Sequence, residues 1–153
     1  MNKVLVIAVH PDDETLGCGG TLLKHKANKD EIHWLICTAM NKNQSKYKVR
    51  EQEIEKISKM YDFNGVHKLE LNTMQVDEYS ISELIEKISK VIKKVQPNII
   101  YLPFKGDVHS DHRKIFEAAF SCTKTFRYPF IKNMYMMETL SETEFAPSTM
   151  GDN

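Results

Sequence analysis

The sequence predicts an α/β fold: three layers, helix–sheet–helix, around a mostly parallel sheet. Three observations predict it. Short apolar runs alternate along the chain with longer stretches of helical periodicity, the pattern of parallel strands joined by right-handed helical crossovers. The runs are continuously apolar rather than alternating, as strands covered on both faces are. The length, 153 residues, suits one domain with its own core.

Each element follows from the residues. Val4 to Val9 is a β-branched apolar run and reads as a buried strand. Gly17 to Ala27 reads as a helix opened by glycines, and Ile32 to Thr38 as a second strand. Lys46 to Tyr61 sets Ile54, Ile57 and Tyr61 on one helical face, and Val66 to Leu71 is a weaker strand. Ser80 to Val95 is the clearest helix. Ile81, Leu84, Ile85, Ile88, Ile92 and Val95 keep a 3.6-residue period, Ser80 with Glu83 forms a capping box, and Glu83–Lys87 and Glu86–Lys90 pair on the wet side. Pro97 stops it. Ile99 to Leu102 is a strand, Asp111 to Cys122 a helix, and Met134 to Glu138 a last strand whose Met134-Tyr135-Met136-Met137 run reads as core.

Composition narrows the function. Lys and Arg number 21, as do Asp and Glu, so the formal charge is zero. Nucleic-acid binding and polybasic membrane attachment both need a cationic surplus, and neither is expected. No apolar stretch approaches membrane length, and Val4 to Val9 is too short for a signal-peptide core. Cys18, Cys37 and Cys122 form no disulfide or zinc-ribbon pattern, so a reducing, cytoplasmic setting is expected.

Ligands of such sheets bind beyond the carboxyl ends of the strands, where strand order reverses. The loops after Val9 and Leu102 carry the unusual residues: His10-Pro11-Asp12-Asp13-Glu14, and Asp107-Val108-His109-Ser110-Asp111-His112-Arg113. Catalytic zinc takes three imidazole or carboxylate ligands and keeps a place for water. His10, Asp13 and His112 can supply two nitrogens and one oxygen. Asp12 can take a proton from water, and His109 can face a reacting carbonyl. Those are the parts of a metal-assisted amide hydrolysis. Acidic residues at helix starts are also common caps, and His25, His33 and His67 read as structural. Gly17-Cys18-Gly19-Gly20 matches neither a dinucleotide fingerprint nor a phosphate loop, and reads as close approach of the first helix to the sheet.

His10-Pro11-Asp12-Asp13-Glu14 with Gly17-x-Gly19-Gly20, and His109-x-Asp111-His112-Arg113, resemble the PIG-L/LmbE family of zinc-dependent N-acetylglucosaminyl deacetylases. The resemblance runs from the first strand to about Pro147. It implies a Rossmann-like fold and removal of acetyl groups from N-acetylglucosamine conjugates, small-molecule substrates that carry an N-acetyl amino sugar. It matches His10, Asp13 and His112 to zinc ligands and Asp12 to the general base. It matches His109 to an oxyanion-stabilising histidine, taken here as protonated, with Asp111 orienting it. Arg50, in Arg50-x-x-Glu53, matches a substrate-contacting arginine; the plainer reading is a solvated helix charge. Ferrous iron suits the same ligands as zinc, and a homo-oligomer is compatible with the sequence. One domain over residues 1–153 is expected, without the further strands and helix that members usually carry after Glu138-Thr139-Leu140-Ser141. Two rival readings are a non-catalytic metal-binding remnant and a receiver-like signalling module. The second needs an acceptor Asp after the third strand, where Leu71-Asn72-Thr73 stands.

Overall fold

A computed structural model describes residues 1–147. Five parallel strands form one sheet in the order β3-β2-β1-β4-β5, with β1 Lys3–Ala8, β2 Glu31–Ala39, β3 Gly65–Asn72, β4 Ile99–Pro103 and β5 Asn133–Met137. The helices are α1 Asp13–Ala27, α2 Tyr47–Tyr61, α3 Ile81–Val95, α4 Ser110–Ser121 and a short α5 Leu140–Thr143. The expected three-layer α/β fold is what the chain adopts.

The order reverses between β1 and β4, so the loops after those two strands meet. β1 explains why this centre is rigid: Val4 to Val9 have no solvent exposure. Burying each Val, Leu or Ile side chain of this run is worth about 1.5–3 kcal/mol. One face of the sheet packs Leu5, Ile7, Leu35 and Ile100 against Leu84, Ile88 and Ile92 of α3 and Ile115 of α4. The other packs Val4, Val6, Trp34 and Ile36 against Leu22 of α1 and Ile54 and Tyr61 of α2. The Ser80–Glu83 capping box forms. Of the two expected ion pairs on α3, Lys90–Glu86 forms at 2.7 Å, while the Glu83 carboxylate is spent on the cap.

Two expectations change. The first helix starts at Asp13, not Gly17. Acidic Asp13 and Glu14 make its first turn, and the helix kinks at Cys18 (φ −148°, ψ 25°). The glycines lie inside it because of close approach: a Cβ on Gly17 would lie 2.8 Å from Met137 Cβ of β5, and one on Gly19 2.8 Å from the Tyr61 hydroxyl of α2. The last strand is present, but it is not core. Met134, Tyr135 and Met136 are exposed and only Met137 is buried, because β5 is the sheet edge and lacks helix cover. Composition alone cannot tell an edge strand from a central one. Cys18, Cys37 and Cys122 are free and buried.

Candidate functional site

The loop after β1 turns tightly, with the Asp12 and Asp13 amides both donating to the His10 carbonyl. Asp13 thereby becomes the first residue of α1, and its Oδ2 accepts the His10 amide at 2.8 Å. After β4 the chain loops to His109, which caps α4, and His112 lies in that helix's first turn. Arg113 steadies the loop by donating to the carbonyls of Asp107 and Val108.

These two turns bring His10, Asp13 and His112 together. His112 Nε2 is 3.3 Å from Asp13 Oδ2 and 3.3 Å from His10 Nδ1, and His10 Nδ1 is 3.8 Å from Asp13 Oδ2. Four-coordinate zinc with bonds of about 2.0–2.1 Å sets its ligand atoms about 3.3–3.4 Å apart, so the donors suit such an ion in type and spacing. The remaining ring nitrogens are braced by carboxylates. His10 Nε2 lies 3.2 Å from Asp111 Oδ2, and His112 Nδ1 lies 2.8 Å from Asp107 Oδ2. Each brace holds a proton on the far nitrogen and turns the near one toward the cluster. Burial alone would lower His112, but the hydrogen bond and charge of Asp13, then those of Asp107, overcome it and lift the imidazole to about 9. Asp13 goes the other way: burial opposes its charge, yet His112 and the His10 amide hold it below the usual carboxylate range.

Asp107 is fully buried and had no role in the sequence reading. Its sign in the sequence was its place, an acid five residues ahead of His112. Its other oxygen accepts from Thr143 of α5 at 2.6 Å, a partner no local pattern announced. Asp111 also differs from expectation. Its carboxylate braces His10 and accepts the amides of Met74 and Val76, tying the β3–α3 connection to the site. Toward His109 it offers only its backbone amide, which donates to Nδ1 at 3.1 Å. That bond places the His109 proton on Nε2. Burial, then the neighbouring His10, lowers the His109 imidazole, so the ring is neutral at pH 7 rather than protonated. It lies against both histidines of the cluster, 4.7 Å from the His10 ring and 5.3 Å from the His112 ring.

Asp12 stands outside the ligand cluster with its side chain exposed, and its carboxyl is raised by partial desolvation and by Asp13. It lines a 530 Å³ cleft between α1 and α2 together with Arg50. Arg50 is half-buried; its Nη1 donates to the Pro11 carbonyl at 3.3 Å and lies 3.5 Å from Glu53. It therefore sits beside the β1 loop rather than in open solvent. Glu14 turns inward along the same cleft. It is 1% exposed, burial raises its carboxyl to about 7, and its Oε1 accepts from Thr15.

A family model described as GlcNAc-PI de-N-acetylase, PIG-L, matches residues 5–123 and so takes in both loops. The chain belongs to the PIG-L family. Among relatives of this PIG-L chain, the diacetylchitobiose deacetylase of Thermococcus kodakarensis is 28% identical over 124 residues, 74% of this chain and 46% of that protein. The Bacillus anthracis protein named "Probable N-acetyl-alpha-D-glucosaminyl L-malate deacetylase 2" is 24% identical over 127 residues, 75% of this chain and 56% of that one. The chain thus spans about half the length of these relatives. A conserved protein of Thermus thermophilus shares the fold with a TM-score of 0.77 at 23% identity, over 90% of this chain and 66% of that one. The Rossmann-like expectation holds. No described helix is long and apolar enough to cross a membrane.

Proposed function

We propose that this PIG-L chain is a zinc-dependent hydrolase that removes the N-acetyl group from a small N-acetylglucosamine-containing conjugate and releases acetate. The observation that carries the reading is the triad itself. Two imidazoles and one carboxylate converge within 3.8 Å, and both imidazoles are braced from behind by buried carboxylates.

His10, Asp13 and His112 would hold the ion, which when bound supplies Lewis acidity toward a carbonyl and makes water more acidic. Asp12 takes a proton from the attacking water while its oxygen bonds to the acetyl carbon. The neutral Nε2–H of His109 donates to the oxygen that gains charge in that step. Asp12 then returns the proton to the amide nitrogen as the C–N bond breaks, leaving acetate and the free amine. Arg50 borders the same cleft as Asp12 and supplies a cationic donor for hydroxyls of the sugar or its attached group. The relatives named for chitobiose and malate conjugates support an amino-sugar substrate class.

The test is acetate release from a panel of N-acetylglucosamine conjugates by zinc-loaded protein, with Asp12→Ala as control. Turnover in the parent, and its loss in a variant that still carries zinc, is the expected result. Stoichiometric zinc with no acetate from any conjugate identifies a metal-binding remnant instead.

A further inference from the structure

A second histidine cluster lies at the other end of the sheet. His33 of β2 and His67 of β3 are each the third residue of their strands, whereas the deacetylase loops follow the carboxyl ends of β1 and β4. Parallel pairing sets His33 beside Gly65 and Leu35 beside His67, which puts both imidazoles on the face shared with α3. Their rings stack with centroids 5.4 Å apart, and His33 Nδ1 lies 3.2 Å from His67 Nε2.

Three features make this more than a chance contact. The first is a brace. Glu31 Oε1 lies 2.8 Å from His33 Nε2, holds the proton there and leaves the Nδ1 lone pair pointing at His67. The second is a cradle. A Cβ on Gly65 would lie 2.7 Å from His33 Nδ1 and 3.2 Å from His67 Nε2, so the bare glycine leaves the space onto which both nitrogens face. The third is distance. Two nitrogens 3.2 Å apart, each bonded at about 2.0–2.1 Å, subtend about 100° at a shared ion, close to tetrahedral. Among the described residues His67 Nδ1 has no hydrogen-bond partner, so its proton can move there and free Nε2. Rotation about χ2 of histidine is soft, so the two stacked rings can turn their lone pairs toward a shared ion.

We propose that His33 and His67 form a second metal site, over Gly65, for a late first-row divalent ion such as zinc or copper. Two imidazoles favour that class over magnesium or calcium. Both histidines are half-buried, so the remaining positions open to water. The ion would clip β2 to β3 and sits apart from the hydrolytic cluster, so neither reading depends on the other.

The test is equilibrium dialysis of metal-free protein against zinc, with metal counted per chain. The parent is expected to hold two ions, and His67→Gln and His112→Ala one each. Gly65→Ala, which keeps both histidines but fills the cradle, is expected to hold one. Copper(II) added to His112→Ala should give an electron paramagnetic resonance spectrum split by two nitrogens, lost on adding His67→Gln. Should His112→Ala fail to fold, the same subtraction is made between the parent and His67→Gln. Acetate release, where present, should be unchanged in Gly65→Ala and His67→Gln. The proposal is overturned if His67→Gln and Gly65→Ala bind as many ions as the parent, whereas a single ion kept in His112→Ala and lost in His67→Gln would leave this site standing and count against the hydrolytic one.

Discussion

The two histidine clusters occupy opposite ends of one sheet and are built by different means. At the carboxyl ends, His10, Asp13 and His112 come from loops and first helical turns, and every orientation is set by a second residue: Asp111, the His10 amide and Asp107. At the amino ends, His33 and His67 come from neighbouring strands, and register alone brings them together, with one brace from Glu31. The first cluster has three donors beside an exposed acid and a neutral imidazole. Among the described residues, the second has two imidazole donors and, beyond them, only the Glu31 carboxylate, which is spent on the His33 brace. The difference teaches that ligand atoms make a binding site, whereas the groups held around them make a reactive one.

That contrast can be broken most directly at Asp12. Asp12→Ala is expected to lower acetate release by about 10²–10⁴-fold while zinc content stays at the parent value; loss of zinc instead would put Asp12 among the ligands. His109→Ala should cost about 10²–10³-fold in kcat through the lost donor, again with metal retained. A smaller effect tests the bracing. Asp107→Asn should weaken zinc binding by about 10–100-fold, measured against a chromogenic chelator, whereas Glu31→Gln should leave the hydrolytic cluster's affinity alone.

The pH dependence of binding sharpens the same comparison. His112 is lifted to about 9 in the metal-free protein. Its proton therefore stabilises that form fully below its unfolded value near 6.5, and the contribution is lost as pH rises through about 9. Zinc must displace that proton, so binding should release about one proton per ion below pH 9 from this histidine, and affinity should rise with pH up to that point. Titration calorimetry in buffers of different ionisation enthalpy reads the number directly. The smallest effect lies outside both clusters. Ser80→Ala, which removes the cap of α3, should cost about 1 kcal/mol in urea unfolding with no change in zinc content.

Much of the candidate site was legible in the chain, because the donor side chains and their neighbours come in short local runs. His10 with Asp13, and His109 with His112, are separated by a single tight turn or helix start, and the α/β alternation says which loops meet. What escaped was long-range or depended on cover. Thr143 reaches Asp107 from α5, and Asp111 turned out to brace His10 across the sheet rather than only its neighbour. The Met134–Met136 run reads as core because its composition is apolar, yet its place at the edge leaves it exposed.

By itself, then, the amino-acid sequence determined the layer architecture, the two loops and the types of side chain they carry, since hydrophobic periodicity and local spacing carry those. Only the tertiary structure decided the aim of the imidazoles and the opposite directions in which burial and neighbouring groups push His112 and His109. It also paired His33 with His67, two residues that read as isolated along the chain. Register and burial are properties of neighbours in space: a two-residue slip of β3 against β2 would leave every local pattern intact and carry Gly65 and His67 together away from His33.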